Sequence, residues 1–420
     1  MLIRWDSLGH LLGFFTLGIA VSMLAPAGLA LYYADQGFLP LVKALGLTAA
    51  VGVALIVALR PEPHEINHRE GILFVCLAWC SASALGALPY YFSDSFPGYT
   101  DSFFEAISGF TATGATVLSD IESVPRSLLF WRSLSQWVGG MGIILLGIAI
   151  LPLLGTGGMA LYRAEFSGAR SEKLKPRIAE TALALWKIYV SFSVAAYVAL
   201  RLAGMEPFDA ICHTFTTVAT GGFSPRGASI ESFQSPAIEY VVVFFMLACG
   251  VNFTRHYRLF VEGKVRDFFD AEVRVYLLIL GTITLVIAGT LLRSPGSELG
   301  ESLRLALFQT VSIGTTTGFS SVDFEAWTPF AKLLLLALMF VGGCTGSTAA
   351  GMKVARIILL FRVVGRQFRQ MVERRGVFAV RFGGEAVSEQ TINSLLNLVY
   401  IALMINFAAC MALTAAGVDV

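Results

Sequence analysis

The sequence predicts an all-α polytopic membrane protein in which units of span, half-length helix and span repeat around one pseudo-fourfold pore axis. Three observations predict it. The 420-residue chain is 56% hydrophobic and only 14% charged, with a mean hydropathy of +0.71, far from the soluble average. Apolar runs of the roughly 20 residues that a bilayer crossing needs recur near 9–33, 38–59, 70–92, 128–154, 179–203, 237–261, 272–292, 329–363 and 392–416. The windows DSFFEAISGFTATG (101–114), DAICHTFTTVATGG (209–222) and LALFQTVSIGTTTG (305–318) superimpose without a gap, with Ser108, Thr216 and Ser312 in register, which is an internal repeat.

The elements follow in order. Residues 1–69 supply a leading helix pair without a pore loop; the first run lacks the short apolar region and cleavage site of a secretory signal and is expected to stay as a helix. Residues 70–178, 179–271 and 272–391 form three pore units, each with a first span (M1), a half-helix, a Gly-ended filter and a second span (M2). Each repeat window is too short to cross a bilayer, so it predicts a half-helix that enters and returns as extended backbone. Residues 392–420 begin a fourth unit. The filter glycines lie at 114, 222 and 318, and at that spacing a fourth falls beyond Val420. The expectation is therefore three complete repeats plus the first helix of a fourth.

Charge gives the orientation, because short loops rich in Lys and Arg stay on the cytoplasmic side. With the N-terminus inside, loops 60–70, 155–178, 255–274 and 364–391 are cytoplasmic. That side then holds 22 Lys and Arg against 14 acids, and the outer side 8 against 15. Every filter phrase falls in an outward-facing connection.

The loops carry the chemistry. A half-helix running inward from the outer face aims its C-terminal carbonyls, worth roughly half a negative charge, at the midplane, which favours a cation. The returning strand turns its own carbonyls inward where small residues, and Gly at positive φ, allow it. Rings of such carbonyls replace water around a dehydrated monovalent cation. The expected ion-binding oxygens are those of Ala112, Thr113 and Gly114, of Thr220, Gly221 and Gly222, and of Thr316, Thr317 and Gly318. Any one such phrase read alone is an ordinary turn; three in register are not.

A second element interrupts the run 329–363, where residues 342–353 read GGCTGSTAAGMK. Non-helical backbone at membrane depth survives only when buried in protein or lining water. Gly342, Gly343, Thr345, Gly346, Ser347, Gly351 and Lys353 form either a flexible barrier below the third filter or a small-residue packing face. A phosphate-binding loop is excluded, because Met352 stands where that motif needs Lys. The basic run from Lys353 and Arg356 through Arg362, Arg366, Arg369, Arg374, Arg375 and Arg381 is topology signal and headgroup contact, or a docking surface for a regulator.

Other candidates read as structural. The six cysteines, without CxxC pairs or His at ligand spacing, are expected to be buried small residues, and no cofactor is expected. His213 beside Cys212 points elsewhere on its helix. Glu105 and Asp209 attract cations at the mouth or favour helix N-termini, and Arg132 and Gln136, one turn apart, pack behind a filter. Few ionisable residues lie at mid-depth, which favours a channel-like pathway over a proton- or sodium-coupled symporter. An intramembrane enzyme lacks any triad, metal cluster or nucleotide loop.

The phrases FFEAISGFTATGATVL, WRSLSQWVGGMGI, LPLLGTGGMALYRAE, PRIAETALALWKIY, FDAICHTFTTVATGGFSP and MFVGGCTGSTAAGMKVARI closely resemble the TrkH-type subunits of the Trk/Ktr/HKT superfamily of potassium transporters, over nearly all of the chain from about residue 70. The resemblance implies potassium uptake across a bacterial inner membrane, a homodimer with one pore per protomer, a gating role for 342–353, and regulation by a cytosolic nucleotide-binding ring of the TrkA type. Two departures stand out. The fourth filter and its M2, which in the family carries a pore-lining Arg, have no counterpart here. The first filter has Ala115-Thr116 where the others have Phe-Ser, so an asymmetric ring is expected. Each loop has a single Gly phrase, unlike the longer TVGYG run, so fewer ordered sites and looser potassium-over-sodium selection are expected.

Overall fold

A computed structural model describes residues 3–59, 68–150, 174–293, 298–373, 376, 378–382 and 385–417. The helices are α1 (Trp5–Ser22), α2 (Leu24–Tyr33), α3 (Phe38–Ala58), α4 (His68–Gly86), α5 (Leu88–Phe92), α6 (Tyr99–Phe110), α7 (Arg126–Ile150), α8 (Leu174–Leu202), α9 (Pro207–Val218), α10 (Pro236–Cys249), α11 (Phe253–Phe260), α12 (Val265–Phe268), α13 (Ala271–Leu291), α14 (Leu299–Gly314), α15 (Pro329–Met339), α16 (Val354–Val372) and α17 (Glu389–Ala415). A two-residue ladder pairs β1 (Arg381–Phe382) with β2 (Glu385–Ala386). The fold is that of an all-α polytopic membrane protein. Among the described residues, Trp5–Tyr33, Phe38–Ala58, Arg69–Phe92, Thr181–Leu202, Ala271–Leu291 and Glu389–Ala415 are long and apolar enough to cross a bilayer.

The leading pair packs through glycine. A Cβ on Gly13 would fall 2.9 Å from the Gly52 carbonyl and one on Gly52 3.1 Å from the Gly13 carbonyl, so α1 and α3 approach as closely as small residues permit. The largest buried cluster among the described residues joins α2 to α7 and includes the fully buried Trp131. The Trp131 indole donates to the Gly86 carbonyl at 3.0 Å, which fixes α7 against α4.

Two expected continuous spans are broken. The run 237–261 ends as a helix at Cys249 and restarts at Phe253, with a bend of 99° between α10 and α11. Asn252 causes the restart: its side chain accepts the Thr254 N–H at 2.8 Å, a helix N-cap. The run 329–363 is helical only as α15, and α16 begins at Val354 after a non-helical passage. That helix continues to Val372, through part of the expected loop 364–391, so Arg356, Arg362, Arg366 and Arg369 are helical residues. Most of loops 60–70 and 155–178, the phrase LPLLGTGGMALYRAE, and Arg374 and Arg375 lie outside the described residues. The cysteine expectation is half corrected: Cys212, Cys249 and Cys344 are buried, whereas Cys76, Cys80 and Cys410 are exposed. An apolar span hides its outward face in lipid, so hydropathy alone cannot tell inside from outside.

Candidate functional site

The three half-helices α6, α9 and α14 end in the same way. The N–H groups of Thr113, Gly221 and Thr317 reach the carbonyls of Ser108, Thr216 and Ser312 at 2.9, 2.8 and 2.8 Å. Those of Ala112, Thr220 and Thr316 reach Gly109, Thr217 and Ile313 at 2.9, 3.0 and 2.9 Å. This double bond pattern is the Schellman cap, which needs a left-handed residue just past the helix. Ala112, Thr220 and Thr316 supply it at φ 52°, 52° and 57°. A side chain there costs on the order of 1–3 kcal/mol, a strain that clusters at functional sites. Two residues on, Gly114, Gly222 and Gly318 are left-handed again, at φ 81°, 78° and 85°.

The loops abut in order. A Cβ on Gly114 would lie 2.2 Å from the Gly221 carbonyl oxygen, and one on Gly222 would lie 1.9 Å from the Thr317 carbonyl oxygen. At Gly114 and Gly222 the next loop's carbonyl therefore occupies the side-chain position. Gly318 meets nothing within 4 Å. Thr113 and Gly318, at the two ends of this row, are exposed, whereas Gly221 and Thr317 in its interior are buried. The nine residues expected as the filter thus form one continuous row of three loops.

Behind each loop lies a polar tie that no shared residue type marks in the sequence. The in-register half-helix residues are Glu105, His213 and Gln309, and each bonds the hydroxyl eleven residues on. Thr116 donates to Glu105 at 2.9 Å, His213 Nε2 meets Ser224 Oγ at 3.1 Å, and Gln309 Nε2 donates to Ser320 Oγ at 3.4 Å. His213 Nδ1 lies 2.8 Å from the Asp209 carbonyl. Ser108 and Ser312 add bonds to the carbonyls of Ala115 and Phe319 at 2.6 and 2.7 Å, while Thr216 bonds its own helix at Cys212.

Glu105 lies midway along α6 and is no N-terminal carboxylate, whereas Asp209 stands in the first turn of α9; both are buried and ion-paired. Glu105 accepts from Arg132 Nε at 2.5 Å, with both side chains buried, and Asp209 accepts from Arg226 Nη2 at 2.7 Å. Arg132 and Gln136 do pack behind a loop of the repeat, and it is the second one. Arg132 Nη1 donates to the Ser224 carbonyl at 2.8 Å and its guanidinium lies 3.6 Å from the Phe223 ring centroid. Gln136 Nε2 donates to the Gly221 carbonyl at 2.7 Å, and its Oε1 accepts the Phe223 N–H at 3.1 Å.

The passage 340–353 docks into the break between α10 and α11. Cys344 N–H donates to the Gly250 carbonyl at 2.8 Å, and Phe253 N–H donates to the Gly346 carbonyl at 3.0 Å. Two interrupted helices thus saturate each other's freed backbone groups, as an apolar surrounding requires. Gly342 and Gly351 close the passage on itself: a Cβ on Gly342 would lie 1.9 Å from the Ala350 carbonyl oxygen. Gly343 has the Gly250 carbonyl at 2.7 Å from its own Cβ position, and Gly346, at φ 72°, lies against Asn252. Thr345 N–H and Ala355 N–H both donate to one oxygen of buried Glu272, at 2.7 and 3.1 Å. Ser347 donates to Cys344 at 2.5 Å, and the Lys353 ammonium donates to the Ala349 carbonyl. Ala350 and Gly351 are the exposed crest.

A family model described as a cation transport protein, TrkH, matches residues 41–418. The Trk system potassium uptake protein TrkH of Vibrio parahaemolyticus is 41% identical over 99% of this chain and 87% of that protein. The Trk system potassium uptake protein TrkG of Escherichia coli K12 is 32% identical over 98% of this chain and 85% of that protein. The crystal structure of the potassium transporter TrkH from Vibrio parahaemolyticus superposes with a TM-score of 0.92 at 38% identity, covering 99% of this chain and 87% of that one.

Proposed function

This chain belongs to the TrkH family of cation transport proteins, and from that premise we propose that it carries potassium into the cell across the bacterial inner membrane through a channel-like pore. The loop carbonyls from Ala112 to Gly114, Thr220 to Gly222 and Thr316 to Gly318 act as the filter, and 342–353 acts as the gate. One observation carries this reading: the three loops pack glycine to carbonyl, Gly114 on Gly221 and Gly222 on Thr317. Such packing brings peptide oxygens of adjacent loops together, the kind of group that replaces water around a dehydrated cation. Thr113 and Gly318, the exposed ends of the row, are where a further loop of the same kind would pack.

Potassium is cargo here. The half-helix C-termini supply negative potential at the base of the loops. An inside-negative membrane potential is worth about 2.3 kcal/mol per 100 mV for a monovalent ion, so accumulation needs no second ion. The buried carboxylates Glu105, Asp209 and Glu272 are engaged in fixed hydrogen bonds, which supports the channel-like reading over proton or sodium coupling. The N-terminus faces the cytoplasm, the apolar outer faces meet lipid, and the protein works as a homodimer. The arginines of α16 receive a TrkA-type ring, which moves the gate from that side.

The test is rescue of growth at low potassium in a bacterial strain without potassium uptake systems, with rubidium uptake measured alongside. The wild-type chain in its full-length protein should rescue, and Gly222→Ala should not. Wild-type uptake by Gly222→Ala would overturn the filter assignment, and uptake that requires external sodium or an inward proton gradient would establish the symporter instead.

A further inference from the structure

The second loop is built differently from its neighbours. In the first and third loops a pair of hydroxyls braces the turn, with Thr111 and Thr113 oxygens 2.7 Å apart and those of Thr315 and Thr317 2.8 Å apart. The corresponding residues of the second loop are Ala219 and Gly221, so this brace is missing. A side chain from another unit takes its place. Gln136, on α7 of the first unit, is fully buried and donates to Gly221 O at 2.7 Å while accepting from Phe223 N at 3.1 Å. It therefore bonds the two peptide groups on either side of Gly222, as a paired strand would.

The fit is close on every side. A Cβ on Gly221 would fall 2.4 Å from Gln136 Cδ, and one on Gly114 would stand 3.9 Å from Gln136 Nε2. The amide is thus wedged between the first and second loops, and Gly221 is small because the amide lies on it. Arg132, one helical turn away, extends the strap to the Ser224 carbonyl.

We propose that Gln136 is a positioning residue that sets cation selectivity, by fixing the height and direction of the Gly221 carbonyl and the return strand behind Gly222. This rests on the reading of the loops as a filter. A carbonyl has two lone pairs; Gln136 takes one and leaves the other for the cation. Only a group that donates on one edge and accepts on the other satisfies both peptide groups. Glutamine does so at any pH and a carboxylic acid only when protonated, whereas methionine has no donor and only a weak acceptor.

The experiment compares wild type, Gln136→Met, Gln136→Glu and Gly222→Ala in the full-length protein, purified and reconstituted into vesicles, reading potassium against sodium flux and the reversal potential between the two ions. Gln136→Met should lower the potassium-to-sodium ratio roughly tenfold, the equivalent of about 1.4 kcal/mol and within the range for an unsatisfied buried peptide group, while total flux persists. Gln136→Glu should match wild type at low pH and lose selectivity as pH rises, a dependence that a packing role would not create. Gln136→Met with a wild-type ratio overturns the proposal. So does failure of both Gln136 variants to yield monodisperse protein, because that assigns the residue to folding. If Gly222→Ala also keeps wild-type flux and ratio, the filter reading itself has failed; if Gly222→Ala is impaired, only the role of Gln136 has.

Discussion

The Thr316 hydroxyl accepts the backbone N–H of Ala350 at 2.7 Å, joining the base of the third pore loop to the crest of the 340–353 passage. The two in-register positions make no such link. Ala112 has no hydroxyl, and the Thr220 hydroxyl turns to the Ala219 carbonyl at 2.7 Å. The 340–353 passage is thus bonded directly to one of the three loops, which in the proposed reading joins gate to filter. By linkage, whatever moves the crest changes the third loop, and whatever occupies the third loop biases the crest.

Thr316→Val should release the crest while leaving the shape of the loop intact. Loss of one hydrogen bond of about 1 kcal/mol shifts a two-state gate roughly fivefold, so rubidium uptake without the cytosolic regulator should rise by about that factor. Thr316→Ser keeps the hydroxyl and should behave as wild type. Unchanged regulator-independent uptake in Thr316→Val would show that the bond does not hold the gate.

Glu272 holds the same passage from its other side, through the N–H groups of Thr345 and Ala355. Glu272→Ala strands two donors in a buried place, at about 2–3 kcal/mol. The purified protein should unfold at a lower temperature, and Glu272→Gln, which keeps an acceptor oxygen, should recover most of the loss. Equal melting temperatures for the alanine variant and wild type would remove Glu272 as an anchor.

Much of this architecture was legible because the repeat windows align by residue type. Ser108, Thr216 and Ser312, and the glycines at 114, 222 and 318, announced three like loops before any coordinates. The left-handed residues at Ala112, Thr220 and Thr316 were not legible, since a Schellman cap ordinarily places Gly there and these loops place it two residues later. The ties at Glu105, His213 and Gln309 were hidden by their chemistry: an acid, an imidazole and an amide share a position without sharing a type. The break at Gly250 was masked because the apolar run continues through it. Its cause is tertiary, since the peptide groups it frees are satisfied by Cys344 and Gly346, nearly a hundred residues away in the chain.

The Glu105–Arg132 pair, buried on both sides, bridges the first loop to the second. Arg132→Met alone leaves a buried carboxylate without its partner and should cost about 3–5 kcal/mol, whereas the double variant Arg132→Met with Glu105→Gln should recover much of it. Thermal unfolding of the two single variants and the double variant forms the cycle that measures the coupling. Additive losses would mean that the pair does not act as a unit.

The filter glycines separate two kinds of damage. Alanine at any of them must adopt a left-handed φ, a strain on the order of 1–2 kcal/mol. At Gly222 the new methyl would also sit 1.9 Å from the Thr317 carbonyl oxygen, and at Gly114 it would sit 2.2 Å from that of Gly221, whereas at Gly318 nothing lies within 4 Å. Backbone cannot swing aside as a flexible side chain does, so the first two substitutions push neighbouring loops apart. Within these three loops, Gly114→Ala and Gly222→Ala should abolish potassium uptake, and strain alone predicts a milder, partial loss for Gly318→Ala. Should Gly318→Ala prove as damaging as Gly222→Ala in the full-length protein, a further carbonyl must lie against Gly318, as the proposed fourth loop requires. A mild phenotype there would argue against a loop packed in the same register, so uptake by the three variants tests the closure of the row as well as its chemistry.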